Sequence, residues 1–162
     1  MLSTAHYLSP FGCFCIQGSA RGIRKVNLVD TKPCPAGPIP PELKQCVIQL
    51  DEYFKGQRQE FDLQLDWEGA TDFHQAVWAA LLEIPYGHTT SYLKIAEKLG
   101  DPKSIRAVGQ ANRRNPIAII VPCHRVIAKN GDLQGYFYGL DMKRRLLELE
   151  NPRSFARQGS LF

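Results

Sequence analysis

Residues 91–113 read SYLKIAEKLGDPKSIRAVGQANR, and the fold turns on where this stretch breaks. A short helix is predicted from about Ser91 to Leu99, stopped by Gly100, since glycine tolerates the left-handed backbone that ends helices. After Asp101 and Pro102 a second helix is predicted to reach about Arg113, because proline is pre-set for a first helical position. Two short helices joined by a tight turn make a helix-turn-helix candidate. In the second helix Arg106, Gln110 and Arg113 fall at i, i+4 and i+7, so they share one face, with small Ala107 and Ala111 beside it. Such a stripe is ordinarily solvated surface, but small neighbours also let it approach DNA closely. Ile105 and Val108 are expected to point elsewhere and dock the helix.

Working outward, a helix is predicted to open at Asp72, with Gln75 three residues later as a capping-box variant. Its buried stripe is Phe73, Val77, Trp78, Leu81 and Leu82, and Pro85-Tyr86-Gly87 ends it. Downstream come an apolar extended run, Ile117 to Val121, the string Pro122-Cys123-His124-Arg125-Val126, and a Gly-rich stretch from Gly131 to Gly139. A last helix runs from about Leu140 to Glu150, with Leu140, Leu146, Leu147 and Leu149 as its apolar contacts.

The first third reads differently. Phe11 to Ile16 and Ile23 to Val29, rich in aromatic and β-branched residues, flank a turn-prone Gly18-Ser19-Ala20-Arg21-Gly22 and predict a β-hairpin. Residues 32–41 contain five prolines and must be a loop. A helix follows, burying Leu43, Cys46, Val47, Leu50, Tyr53 and Phe54 and stopping at Gly56. Phe61, Leu63, Leu65 and Trp67 then alternate as a half-buried strand does. The expected fold class is α+β: a small N-terminal α/β domain, 1–68, with a hairpin and sheet, and a mainly helical domain, 69–162, containing the helix-turn-helix.

The composition, 162 residues with 44% hydrophobic and 22% charged, is that of a globular protein. No run reaches the roughly 18 apolar residues of a membrane span, and Met1 to Pro10 lacks the zones of a secretory signal, so a cytoplasmic protein without a membrane partner is expected. Five cysteines at irregular spacing do not read as a disulfide framework, and reduced thiols are expected. The net charge of +4 fits a polyanion partner but is too modest to decide one.

Cys123 sits between a proline and a histidine at the end of a buried apolar run, which places a thiol on a rigid turn at a core edge. A free thiol titrates near about 8.5, so it needs a base or positive field to become a good nucleophile at neutral pH. His124 and Arg125 can supply either. A cysteine taken at random is more often inert core, and here the flanking residues favour chemistry.

The string Ile120 to Ile127 around Cys123 resembles the active-site motif of the O6-alkylguanine-DNA alkyltransferase family, and Arg106-Ala107-Val108-Gly109 through Asn115-Pro116 matches as well. The resemblance covers residues 71–150 well, and Phe11-Gly12 with Gly22-Ile23 resembles the family's looser N-terminal domain. It implies stoichiometric, irreversible transfer of an alkyl group from O6-alkylguanine, and also O4-alkylthymine, to Cys123. His124, bridged by a water to Cys123 and held by Glu150, would deprotonate the thiol. Tyr92 would donate to the departing base, and Asn115 would tie the helix-turn-helix to the active-site turn. Taken alone, Glu150 would read as a solvated helix-end charge, Tyr92 as a half-buried helix tyrosine and Asn115 as a helix stop.

The resemblance also implies double-stranded DNA containing alkylated guanine as the partner, entered through the minor groove with the damaged base flipped out. The face of Arg106, Ala107, Gln110 and Arg113, with Arg114 and Arg125, would bind the DNA, Arg106 filling the gap the base leaves. Val126 and the loop Tyr136, Phe137 and Tyr138 would wall the base pocket, with Phe137 and Tyr138 bulkier than the family's usual residues there. No cofactor and no obligate protein partner are implied. A zinc site from His6, Cys13, Cys15 and Cys34 is disfavoured, since Cys-x-Cys spacing is what a strand with small core residues gives. His74 and His88 read as surface or helix-end residues. A lesion sensor on the same fold would lack the acceptor cysteine. A sequence-reading regulator would want more base-reading side chains and a dimerisation segment, and a cysteine hydrolase would need a turnover pathway.

Overall fold

The computed structural model describes residues 1–128 and 139–153, which form two compact units, the first made of residues 1–69 with 116–120 and the second beginning at Ala70. The first unit is a three-stranded antiparallel sheet, β1 (Ser3–Ser9), β2 (Gly12–Ser19) and β3 (Gly22–Val29), with helix α1 (Lys44–Phe54). The expected hairpin is β2–β3. The sequence reading missed β1, whose mixed side chains (STAHYLS) carry little β signal; it pairs with β2 from Ser3 opposite Gly18 to Ser9 opposite Gly12. Phe14, Ile16 and Val26 of the sheet and Leu43, Cys46, Leu50 and Tyr53 beside or on α1 are buried, so the helix covers the sheet with its apolar stripe.

Residues 61–65 keep the expected alternation of burial, which fails at the buried Asp66, and the segment forms only an isolated parallel bridge, Leu65 with Ile23, in place of a strand. Ile23 N–H donates to Gln64 O at 2.9 Å and Asp66 N–H to Ile23 O at 2.8 Å. A Cβ on Gly22 would stand 2.5 Å from Gln64 O, so glycine permits this close approach.

Two further expectations are corrected in this unit. The apolar run after Asn115 is not extended: Ile119 has φ +72°, in the left-handed region that a β-branched residue rarely enters. Its first part belongs with the first unit, because Val26 N–H donates to Pro116 O at 3.0 Å and Ala118 N–H to Val26 O at 2.9 Å. The segment 69–162 is therefore not one continuous unit. Nor are all thiols reduced: Cys13 of β2 and Cys34 of the proline-rich loop form a disulfide, their Cα atoms 5.5 Å apart, while Cys15, Cys46 and Cys123 are free. A pairing made by a loop returning over 21 residues leaves no local sequence mark. Among the described residues no group of three or more metal-binding side chains gathers, and no helix is long and apolar enough to cross a membrane.

The second unit is helical: α2 (Asp72–Leu81), α3 (Tyr92–Lys98), α4 (Ile105–Arg113) and α5 (Leu140–Glu150), with a small parallel pairing of β4 (Thr90–Ser91) and β5 (Val126–Ile127). Ser91 caps α3 by accepting Lys94 N–H at 3.1 Å. Asp101 Oδ1 accepts Lys103 N–H at 3.0 Å in the turn leading to α4, so the two helices of the predicted motif are present with their break at Gly100. Val77, Trp78 and Leu81 of α2, Val108 and Ala111 of α4 and Leu146 and Leu147 of α5 are buried. The stripes are narrower than expected, since Phe73, Leu82, Ile105 and Leu140 are exposed. Each lies in the first helical turn or at the margin of its stripe, where fewer neighbours cover it.

Helix α2 also starts differently. Thr71 is the N-cap, its hydroxyl accepting His74 N–H at 3.1 Å, and Gln75 Nε2 donates to Ala70 O at 3.0 Å. Asp72 is the first helical residue, where its charge favours the helix dipole without capping. Thr71→Ala is expected to lower stability by about 1 kcal/mol, and Asp72→Asn by less. Equal losses in chemical denaturation would return the cap to Asp72.

Candidate active site

Cys123, His124 and Arg125 form a single 3-10 turn after Pro122, and all three are buried. Two asparagines from the end of α4 hold the turn. Asn112 Nδ2 donates to Cys123 O at 3.3 Å, and Asn115 Nδ2 reaches Val121 O at 2.8 Å and Cys123 Sγ at 3.2 Å. Pairing of Thr90 with Val126 and of Ser91 with Ile127 sets Tyr92, the first residue of α3, beside the same turn. The Asn112 side chain also hydrogen-bonds Tyr92, so one helix end fixes both thiol and phenol.

Glu150, the last residue of α5, closes the site from the other side. Its carboxylate accepts from His124 Nε2 at 2.6 Å, Arg125 Nε at 2.8 Å, Arg125 Nη2 at 3.0 Å and Gly87 N–H at 3.3 Å. Arg125 Nη1 donates to Ile84 O at 2.7 Å, and its guanidinium lies 5.8 Å from the Tyr86 ring centre. The turn after α2 is thus fastened to the end of α5, where Asn151 Nδ2 also donates to Gly87 O at 3.1 Å. Gly87 takes φ +79°, a conformation suited to glycine.

These contacts fix the protonation states. Burial alone would raise Glu150, but His124 and Arg125 outweigh it and hold the carboxyl far below its ordinary range. Burial holds His124 below its ordinary value, aided by the charges of Arg125 and Lys143, while Glu150 opposes. At neutral pH the pair is therefore a carboxylate accepting Nε2–H from a neutral imidazole, whose Nδ1 keeps a lone pair. That atom is buried and has no hydrogen-bond partner among the described residues. A neutral imidazole oriented by a carboxylate is a competent general base. Tyr92 is raised by burial and by the nearby Cys123, with Arg113 and Asn112 opposing, so its phenol keeps its proton.

Of the residues singled out from the sequence, Cys123, His124, Glu150, Tyr92 and Asn115 come together here. Arg106, Ala107, Gln110, Arg113 and Arg114 are exposed on α4 and its C-terminal end, and Val126 is buried. Arg125 is corrected: it is 6% exposed and ion-paired with Glu150, so it is not available to DNA. Its charge meets a buried carboxylate that no local pattern announces. Tyr136, Phe137 and Tyr138 lie outside the described residues. Sequence reasoning missed Asn112 and Lys143. A lysine inside the apolar stripe of Met142, Leu146 and Leu147 was the available signal for the second, and for Asn112 there was none.

The buried cluster makes stability sensitive to acid. Both Glu150 and His124 have folded pKa values below their unfolded ones, so each contributes stability that is present above the unfolded value and lost on acidification. Urea unfolding should therefore show stability falling as pH drops below about 6.5 and again below about 4.3. Glu150→Gln, which leaves the Arg125 charge buried without its partner, should cost about 3 kcal/mol at neutral pH and flatten the lower limb. An unaltered lower limb would refute the cluster's role.

Known proteins resemble the chain along nearly its whole length. Residues 3–67 match the family described as 6-O-methylguanine DNA methyltransferase, ribonuclease-like domain, and residues 72–152 the DNA binding domain of the same name. A methylated-DNA--protein-cysteine methyltransferase of Methanosarcina acetivorans is 48% identical over 151 residues, 90% of this chain and 96% of that protein. One of Mycobacterium tuberculosis is 47% identical over 91% of this chain and 92% of its own. The crystal structure of the Mycobacterium tuberculosis O6-methylguanine methyltransferase superposes with a TM-score of 0.83 at 46% identity, covering 94% of each chain. The Mycobacterium tuberculosis OGT crystallised in complex with DNA superposes at 0.81, with 46% identity over 94% of this chain and 93% of that one. The chain belongs to the 6-O-methylguanine DNA methyltransferase family.

Proposed function

We propose that this protein repairs alkylated DNA in the cytoplasm by moving the alkyl group from O6 of guanine, and from O4 of thymine, onto Cys123. The observation that carries this reading is a buried thiol 3.2 Å from Asn115 Nδ2, in the same turn as a histidine bound to a buried carboxylate at 2.6 Å. His124 takes the thiol proton through a bridging water, as the family resemblance implies. The sulfur lone pair then forms the new C–S bond, the C–O6 bond breaks, and its electron pair stays on the base. Tyr92 donates a proton to the base, and the proton on His124 restores the phenol. The net change is thiol plus alkylguanine to thioether plus guanine. A thioether has no activated leaving group, so the protein acts once.

Access to the alkyl carbon requires the nucleotide to leave the stack. The exposed face of α4 supports a DNA-facing surface: Ala107 adds almost no bulk, and Arg106, Gln110 and Arg113 stand along it. Arg106 fills the vacated space in the duplex, entered from the minor groove. Val126 and the backbone of Cys123 line the pocket for the extruded base.

Incubation with an oligonucleotide carrying O6-methylguanine should add one methyl per protein molecule, mapped by peptide mass to Cys123. Cys123→Ala should lose transfer while keeping affinity for the damaged duplex. Turnover beyond one equivalent, or a methyl elsewhere, would sink the assignment. With Arg125 buried, few cations reach phosphate, so log affinity should fall with log salt at a slope of about −2 to −4. Arg114→Ala should reduce that slope by about one whatever the base sequence. Strong dependence on base sequence would favour a regulator instead.

A further inference from the structure

Asn112, in the last turn of α4, is 1% exposed. Its Nδ2 donates to Cys123 O at 3.3 Å, whereas Oδ1 is buried and has no hydrogen-bond partner among the described residues. A reversed amide would set its oxygen against that carbonyl oxygen, two acceptors with no hydrogen between them, so the Cys123 backbone fixes which way the amide points. The Tyr92 ring lies along the same helix: a Cβ on Gly109, one turn before Asn112, would stand 4.0 Å from Tyr92 Cδ1. Because Oδ1 has no partner, the hydrogen bond between Asn112 and Tyr92 runs from the second Nδ2 hydrogen to the phenol oxygen. Holding the Cys123 backbone does not require this second contact.

The geometry points to Asn112 as the positioning residue for protonation of the departing base, its amide hydrogen holding the negative charge that Tyr92 acquires on giving up its proton. In that step the Tyr92 O–H bond breaks, the proton bonds to the base, and the electron pair stays on Oη until the proton on His124 restores the phenol. Burial and the charge of Cys123 both oppose a negative Oη, while Arg113 and Asn112 of α4 favour it. Lys143 of α5 lies 6.0 Å from the ring centre. Arg113 is exposed, where water and salt screen it. Asn112 is buried with its dipole already aimed, where a donor to a charged oxygen is worth roughly twice one to a neutral oxygen. The inference rests on Tyr92 protonating the base and on Cys123 being the acceptor.

The test separates the leaving group from the thiol. Methyl transfer from an O6-methylguanine duplex needs a proton on the departing base, whereas carboxamidomethylation of Cys123 by iodoacetamide expels iodide, which needs none. Asn112→Leu should slow single-turnover transfer at saturating protein about tenfold or more, and iodoacetamide labelling of Cys123, scored by peptide mass, less than about threefold. In a Tyr92→Phe background, where no phenolate forms, Asn112→Leu should slow transfer little further. Equal slowing of both reactions by Asn112→Leu, or a full second loss in the Tyr92→Phe background, overturns the proposal and leaves Asn112 as a support for the turn. A second measurement keeps Asn112 in place: by NMR, one of its two amide hydrogens should move upfield in Tyr92→Phe, and an unmoved signal also overturns the proposal. Tyr92→Phe alone separates the failures. If it transfers at the wild-type rate with the methyl on Cys123, the role of Tyr92 fails and that of Asn112 with it. If it is slow while Asn112→Leu is not, Asn112 alone is removed, and a methyl away from Cys123 removes the acceptor itself.

Discussion

The second unit depends on one buried carboxylate. Glu150 accepts from His124, Arg125 and the Gly87 amide, so a single side chain joins the end of α5, the active-site turn and the turn after α2. Burying a carboxylate is costly unless it is neutralised and its lone pairs are filled. Here a guanidinium does the first and three side-chain and backbone donor groups the second. The result is more than stability: the same carboxylate orients the imidazole that burial keeps neutral, so folding and reactivity share one interaction.

Around the thiol the constraint is geometric. A cysteine on a tight turn would swing unless its backbone were held, and α4 ends by doing so with two amides. Asn112 takes Cys123 O, and Asn115 takes Val121 O and approaches the sulfur itself. The opposite face of that helix carries the exposed arginines. The exposed arginines and the amides that hold the nucleophile thus lie within one short stretch, Arg106 to Asn115.

The distribution of positive charge follows the same division. Arg106, Arg113 and Arg114 stay in solvent, where they can meet phosphate, while Arg125 and Lys143 are withdrawn into the protein. The modest net charge of +4 conceals this sorting. Cations spent on internal electrostatics contribute little to duplex affinity, and cations on the surface contribute little to the thiol, because water and salt screen them.

Read alone, the sequence determined the helical breaks at Gly100 and Gly87, the stripe of α4, the hairpin β2–β3 and the cover of α1, since periodicity and turn residues are local signals. It also singled out Cys123 with His124, because a thiol beside an imidazole after proline is a pattern within one short string. Only the tertiary structure decided the rest. It joined Glu150 to His124 across 26 residues, a pairing that the family resemblance implied and no local pattern showed, made Arg125 an internal ion pair, revealed Lys143 over Tyr92, joined Cys13 to Cys34, and gave Pro116–Ile120 to the first unit. Each of these is a contact between distant segments. Its energy comes from burying and pairing groups together, which leaves little trace in the neighbours of either residue, the lysine within the apolar stripe of α5 being the exception.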